Sequence, residues 1–188
     1  MLAWSSVRFA VFAFATVVLA LLSRRSLLSI RSHGFYRFFV FEAILALVLI
    51  NLPFWFRDAF SWYQVISWIL LLSSLLLVVL GIRALHDLGR SGSASRDEPE
   101  LLAFERTTRL VRAGVFRYVR HPMYSSLLLL AWGVFFKLPS LPGAALALIA
   151  TAGLIVMAAI EEGENSRAFG QEYREYMAHT KRFIPHVF

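Results

Sequence analysis

The sequence predicts an all-α integral membrane protein with five crossing helices. Three observations carry that expectation. First, 59% of the 188 residues are hydrophobic and only 16% are charged, with a mean hydropathy of +0.65. A soluble domain holds about 45–50% apolar and roughly 25% charged residues. Second, the apolar residues fall in long blocks, near the ~20 residues that cross a hydrocarbon core as a helix. Third, Arg-rich stretches separate the blocks. This composition excludes a disordered chain, and with no Cys it excludes a disulfide scaffold and a thiol-ligated metal or cluster. The formal charge of +7 reads, in so apolar a chain, as membrane orientation rather than nucleic-acid binding.

The first block covers residues 7–22, with Arg8 at its outer end. It lacks a basic N-terminal region and a small-x-small site, and Arg24-Arg25 follow directly, so no cleaved leader is expected. The second covers residues 35–56 and contains Glu42. The third covers residues 62–82. The fourth, residues 122–137, is short, spanning about 24 Å at 1.5 Å per residue. Pro122 sits in its first turn, and Lys137-Leu138-Pro139-Ser140 ends it. The fifth, residues 141–160, is rich in Ala and Gly, which permits close helix approach. The fourth and fifth form a tight hairpin through Pro139 and Pro142. Trp4, Trp55, Trp62 and Tyr63 stand where an interfacial aromatic belt lies. Residues 91–99 form the one polar, flexible-looking stretch. All of this reads as a single membrane domain.

Orientation follows from the basic residues. Arg24, Arg25, Arg31 and Arg37 follow the first block. Arg83, Arg90, Arg96, Arg106, Arg109, Arg112, Arg117 and Arg120 follow the third, and Arg167, Arg174, Lys181 and Arg182 follow the fifth. The opposite loops hold only Arg8, Arg57 and Lys137. The N-terminus is therefore expected outside and the C-terminus in the cytoplasm, as in a multi-pass inner-membrane protein.

Two places concentrate chemistry. Residues 110–124 end where the fourth span begins. Pro122 suits the first helical position, which puts His121 near the N-cap. The free N–H groups of that helix start, with Arg120 and His121, make a site for a carboxylate or phosphate. The plainer reading is that Arg117 and Arg120 mark the membrane boundary and His121 caps a helix. The second place is Glu161-Glu162-Gly163-Glu164, directly after the fifth span. Carboxylates at a helix C-terminus are unfavourable and need partners. They either form a cation site, pair with the Arg-rich loop, or ride on a helix that continues into solvent. The hairpin makes both places neighbours, so a positive corner meets a negative corner, which suits a zwitterion. Residues 165–179 then read as an amphipathic helix, with Phe169, Tyr173, Tyr176 and Met177 on one face. It lies on the membrane or folds over the pocket. The five His form no ligand pair, so no metal is expected, and no dinucleotide, phosphate-loop or nucleophile-elbow motif is present.

Gly114-x-Phe116-x-x-x-Arg120-His121-Pro122-x-Tyr124, followed a hairpin later by Glu161-Glu162, resembles the isoprenylcysteine carboxyl methyltransferase and phospholipid methyltransferase membrane superfamily. Phe169-Gly170-x-Glu172-Tyr173-x-x-Tyr176, Arg182-Phe183-Ile184-Pro185 and Leu88-Gly89-Arg90-x-x-Ser93-Ala94-Ser95 are also similar to it. The resemblance covers residues 81–185. It implies S-adenosylmethionine as methyl donor, bound among Val111, Gly114, Tyr118, His121, Pro122, Tyr124, Glu161 and Glu162. Glu161 or Glu162 would take the ammonium or hydroxyls and His121 the carboxylate, with Tyr118 and Tyr124 against the adenine or sulfonium. It implies a lipophilic acceptor, with membrane lipids as surroundings and neither nucleic acid nor metal as partner. A carboxylate acceptor is the first expectation, held bidentately by Arg120. An amine acceptor would need a base, for which Glu162 is the candidate. Arg120, His179 and Arg182 are the expected substrate-binding residues. His179 stands where many relatives carry Arg, and Ser126 where they often carry Gly. Sterol reductases, which use a reduced nicotinamide cofactor, resemble the same superfamily. A membrane protein without catalysis is the remaining alternative.

Overall fold

The structure is a computed structural model, and it describes residues 2–30, 32–89 and 110–185. The polar stretch 91–99, the motif from Arg90 onward, and Arg31, Arg96, Arg106, Arg109 and His186 lie outside the described residues. Among the described residues six α-helices follow in order: α1 (Leu2–Ser23), α2 (His33–Asn51), α3 (Trp62–Gly89), α4 (Pro122–Phe135), α5 (Leu141–Phe169) and α6 (Gln171–His179). Short 3-10 turns stand at Ser26–Leu28, Leu52–Phe54 and Gly114–Arg117. No strand occurs among the described residues. α1, α2, α3 and α5 are long and apolar enough to cross a membrane, and α4, at 14 residues, is a shorter apolar helix. The protein is an all-α, multi-pass membrane protein.

Local chemistry sets most helix ends. Ser32 caps α2, its Oγ accepting from the Phe35 N–H at 3.3 Å, and Ser140 caps α5 through the Gly143 N–H at 3.2 Å. Pro53 closes the second span early: α2 stops at Asn51 and the expected continuation to 56 is a 3-10 turn. α3 runs to Gly89, seven residues beyond the expected 82, because nothing in Arg83–Leu88 breaks a helix. α4 ends at Phe135.

The largest departure is in α5, which runs unbroken for 29 residues, about 44 Å, through the acidic cluster to Phe169. The acids therefore do not sit at a helix terminus. The expected single helix over 165–179 is two pieces, split at Gly170, whose φ of +60° suits only glycine. There the chain turns back, and α6 buries Tyr173 and Tyr176 against the protein.

The core lies where α2, α4 and α5 meet: Val40, Ala43, Ile44 and Leu47 against Ala131, Val134, Ala147, Ala150, Leu154 and Met157. Small residues allow this approach. A Cβ on Gly153 would stand 2.5 Å from Val40 Cγ2, and one on Gly133 3.2 Å from the Leu71 backbone nitrogen. α3 packs on α4 and is stitched to it by Ser67 Oγ to Gly133 O and Ser74 Oγ to Ser126 O, both 2.7 Å. Such bonds contribute about 0.6 kcal/mol each between membrane helices. α1 lies outermost on α2, where Thr16 Oγ1 donates to Glu42 Oε2 at 2.8 Å and Arg8 Nη1 to Leu49 O at 3.4 Å.

At the α4 C-terminal end, Lys137 is wholly buried. Its Nζ donates to Gln64 Oε1 at 3.1 Å and lies 3.6 Å from the Trp68 ring centroid and 5.2 Å from that of Trp55. Expected as a boundary cation, it is a cation–π clasp, and Trp55 faces it. The side chain of Trp4 lies outside the described residues.

Candidate functional site

The other end of the bundle carries the charged site. Gly114 has a φ of +63° and turns the chain into the 3-10 segment. Phe116 is buried there, and its carbonyl accepts from the Tyr176 hydroxyl at 2.6 Å. Residues 118–121 pair in parallel with the tail. Lys181 N donates to Tyr118 O at 3.4 Å, Arg120 N to Lys181 O at 2.8 Å, and His121 N to Arg182 O at 3.1 Å. Ser125 Oγ fixes the Phe183 carbonyl at 2.8 Å. The tail is thereby stapled to the start of α4, where His121 is the N-cap and Pro122 follows it, as the sequence predicts.

The staple sets two guanidiniums around one carboxylate. Arg120 Nε donates to Glu162 Oε1 at 2.9 Å, and Arg182 donates to Glu162 Oε1 through Nε at 3.2 Å and to Oε2 through Nη2 at 2.5 Å. His121 Nε2 lies 3.4 Å from Glu162 Oε1 and has no hydrogen bond of good geometry. Burial pushes the Glu162 carboxyl up, but His121, Arg182 and Arg120 outweigh it and hold the group well below the usual carboxylate range. The same pairing raises Arg182. The remaining bonds of Arg120 go to the Met177 carbonyl at 3.1 Å and the Thr180 carbonyl, which ties α6 over the site. Burial, and for Tyr173 the charge of Glu161, pushes the Tyr173 and Tyr176 phenols above their ordinary range, so both remain neutral.

Beside this hub the acids are more open. The Glu161 side chain is 29% exposed against 10% for Glu162. Glu161 Oε2 accepts from the Tyr124 hydroxyl at 2.5 Å and stands 3.7 Å from His121 Nδ1. The His121 and Tyr124 rings stack, with centroids 5.2 Å apart and planes 2° from parallel. Glu164 meets His33 Nδ1 at 2.9 Å, and His33 is buried at the start of α2.

The expected positive and negative corners do meet. Arg120, His121, Tyr124, Glu161, Glu162 and Arg182 form one contiguous cluster. Val111 and Pro122 are buried, Gly114 supplies the turn, and Tyr118 is 55% exposed. His179 is apart from the cluster: exposed, with Nδ1 against the Glu175 carbonyl of its own helix at 2.8 Å. His33 and the carbonyls of Met177 and Thr180 join unforeseen. His33 is 131 residues from Glu164, and its one local signal is the Ser32 cap.

An ionic cluster thus lies at one end of an apolar membrane bundle, with a short polar helix tied to it by Arg120. The family model for phospholipid methyltransferases matches residues 62–172, more than half of the chain. The chain belongs to that family and is a membrane methyltransferase. No curated protein and no solved structure matches it.

Proposed function

We propose that the protein transfers a methyl group from S-adenosylmethionine to a lipophilic acceptor presented from the bilayer, with the site facing the cytoplasm of an inner membrane and the N-terminus outside. The observation that supports it best is the Arg120–His121–Glu161–Glu162 cluster, where the start of α4 meets the extension of α5 under α6. The donor fits this cluster. It carries a carboxylate, and the site offers that group a partner. His121 Nε2 is a buried polar atom without a hydrogen bond at the start of α4, the kind of group that a bound carboxylate would satisfy.

When bound, S-adenosylmethionine supplies an electrophilic methyl group. The chain's own residues position the reactants, exclude water and manage one proton. Glu162 holds Arg120, Arg182 and His121 in register, and Arg120 holds α6 down. Arg120 commits Nε to Glu162 and Nη1 to two carbonyls, and its side chain is only 11% exposed, so it is poorly placed to clamp an acceptor carboxylate. Glu162, strongly acidic under two guanidiniums, is a weak base. Glu161 is better suited to take a proton from an acceptor ammonium before attack. These roles favour an amine-bearing phospholipid as acceptor. A carboxylate acceptor is the second reading, and Arg182, with its side chain 24% exposed, is the guanidinium it would use.

Calorimetric titration of detergent-purified protein with S-adenosylhomocysteine and with reduced nicotinamide cofactor tests the class. Heat with the first alone is expected. Heat with the second alone would make the protein a reductase, and heat with neither would remove the catalytic reading. Labelled-methyl transfer to phosphatidylethanolamine vesicles or to S-farnesylcysteine then separates the two acceptors.

A further inference from the structure

Next to the charged cluster is an apolar cavity of about 110 Å³, lined by Leu128, Thr151, Leu154, Ile155, Phe183 and Ile184. No charged side chain lines it. The Thr151 hydroxyl is spent on Ala147 O at 2.8 Å and Trp132 Nε1 at 3.2 Å. Each wall continues a segment that carries a site charge. On α4, Leu128 stands four residues after Tyr124 and seven after His121, one and two turns deeper on the same face. On α5, Ile155 stands seven residues before Glu162 and Thr151 eleven before it, each about 20° from alignment, and Leu154 stands seven before Glu161. These residues lie about 10–16 Å further along the helix toward the middle of the bundle. The third wall, Phe183-Ile184, directly follows Arg182, and Phe183 sits 6.2 Å from the His121 ring. Ile155 and Ile184 are 36% and 47% exposed, so the slot borders the outer surface of the bundle.

We infer that this slot between α4, α5 and the tail seats one hydrocarbon chain of the acceptor, an acyl chain of a phospholipid whose head lies at Glu161 and Tyr124. The inference rests on the proposed methyl transfer. A head held among charges needs its chain to run down an apolar wall in line with them. This wall has that alignment on both helices, and the tail closes it directly after Arg182. The opposite end of the bundle has a 280 Å³ cavity, but it is lined by Arg57, Asp58 and Lys137 and offers no such surface.

Phosphatidylethanolamine with a diazirine in the middle of one acyl chain, incorporated in vesicles with the full chain, tests the seat directly. Cross-links on residues 151–155, 128 or 183–184 are expected, and they should fall at least fivefold in Ile155→Trp and in Leu128→Phe, which fill the slot. Both variants should bind S-adenosylhomocysteine within twofold of wild type and methylate the vesicle lipid at least tenfold more slowly. Cross-links confined to other helices, or undiminished in both variants, would overturn the proposal. So would labelling of the slot by a diazirine-bearing farnesyl chain and not by the phospholipid. Cross-linking in wild-type protein needs neither turnover nor a folded variant. Slot labelling in a protein that binds no S-adenosylhomocysteine would therefore keep the seat and remove the methyl-transfer reading.

Discussion

Glu162 and Glu161 are adjacent in sequence and, on the proposed mechanism, opposite in task. Glu162→Gln leaves two guanidiniums facing each other with no counter-charge. The expected loss is about 3 kcal/mol, the low end for breaking a buried pair, because Arg182 keeps some contact with water. Thermal unfolding in detergent measures it, and a loss below about 0.5 kcal/mol would return Glu162 to the status of a surface acid. The sign of the pH dependence follows from the depressed carboxyl. Its folded value lies below the ordinary 4.5, so its stabilisation is complete above that range and is lost as the pH falls below it. The melting temperature should hold from pH 8 to about 5 and fall below that, with a flatter acid limb in Glu162→Gln. Glu161→Gln should do the reverse, leaving melting unchanged and slowing transfer to an amine acceptor by about 100-fold or more. Equal rates in both proteins would leave proton removal to solvent.

Two glycines govern how the helices sit. At Gly153 a methyl group would strike Val40, so Gly153→Ala should separate α2 from α5 and lower stability by about 1–3 kcal/mol. At Gly170 nothing lies within 4 Å of a built Cβ; only the backbone objects, because φ +60° with ψ −130° is closed to other residues. Gly170→Ala should cost a similar amount and also loosen α6, which limited proteolysis between residues 169 and 180 would reveal. The helices themselves were legible because each apolar block is a local signal. So was the Arg-His-Pro start of α4, where proline, cap and charge are adjacent in the chain. The α5 extension, one of the alternatives the acidic cluster left open, was not decidable from the sequence for a physical reason. Acidic residues end an apolar run but do not end a helix, and the true stop is a glycine eight residues after Glu162. Arg120 and His121 were legible as neighbours of Glu162 across the hairpin, but Arg182, and His33 beside Glu164, were not. Arg182 reaches Glu162 through a parallel pairing of residues 118–121 with 181–182 that no periodicity announces, and His33 arrives from a different helix.

The two ends of the whole molecule differ in kind. One is closed by Lys137 inside an aromatic box; the other gathers ionised groups under a polar helix. The absence of native Cys makes their sidedness measurable with single introduced thiols. A membrane-impermeant maleimide should label Phe60→Cys, at a fully exposed position of the α2–α3 turn, from outside intact cells. It should reach Arg174→Cys on α6 only after permeabilisation, and the reverse pattern would invert the proposed orientation. The tail staple has a consequence for biosynthesis. Residues 181–183 are made after α1 to α5, yet they hold Arg182 on Glu162 and help line the proposed lipid slot. A ribosome-bound chain can have α1 to α5 inserted and still lack the assembled cluster, so a newly translated copy stays incomplete there until residues 181–183 emerge and fold back.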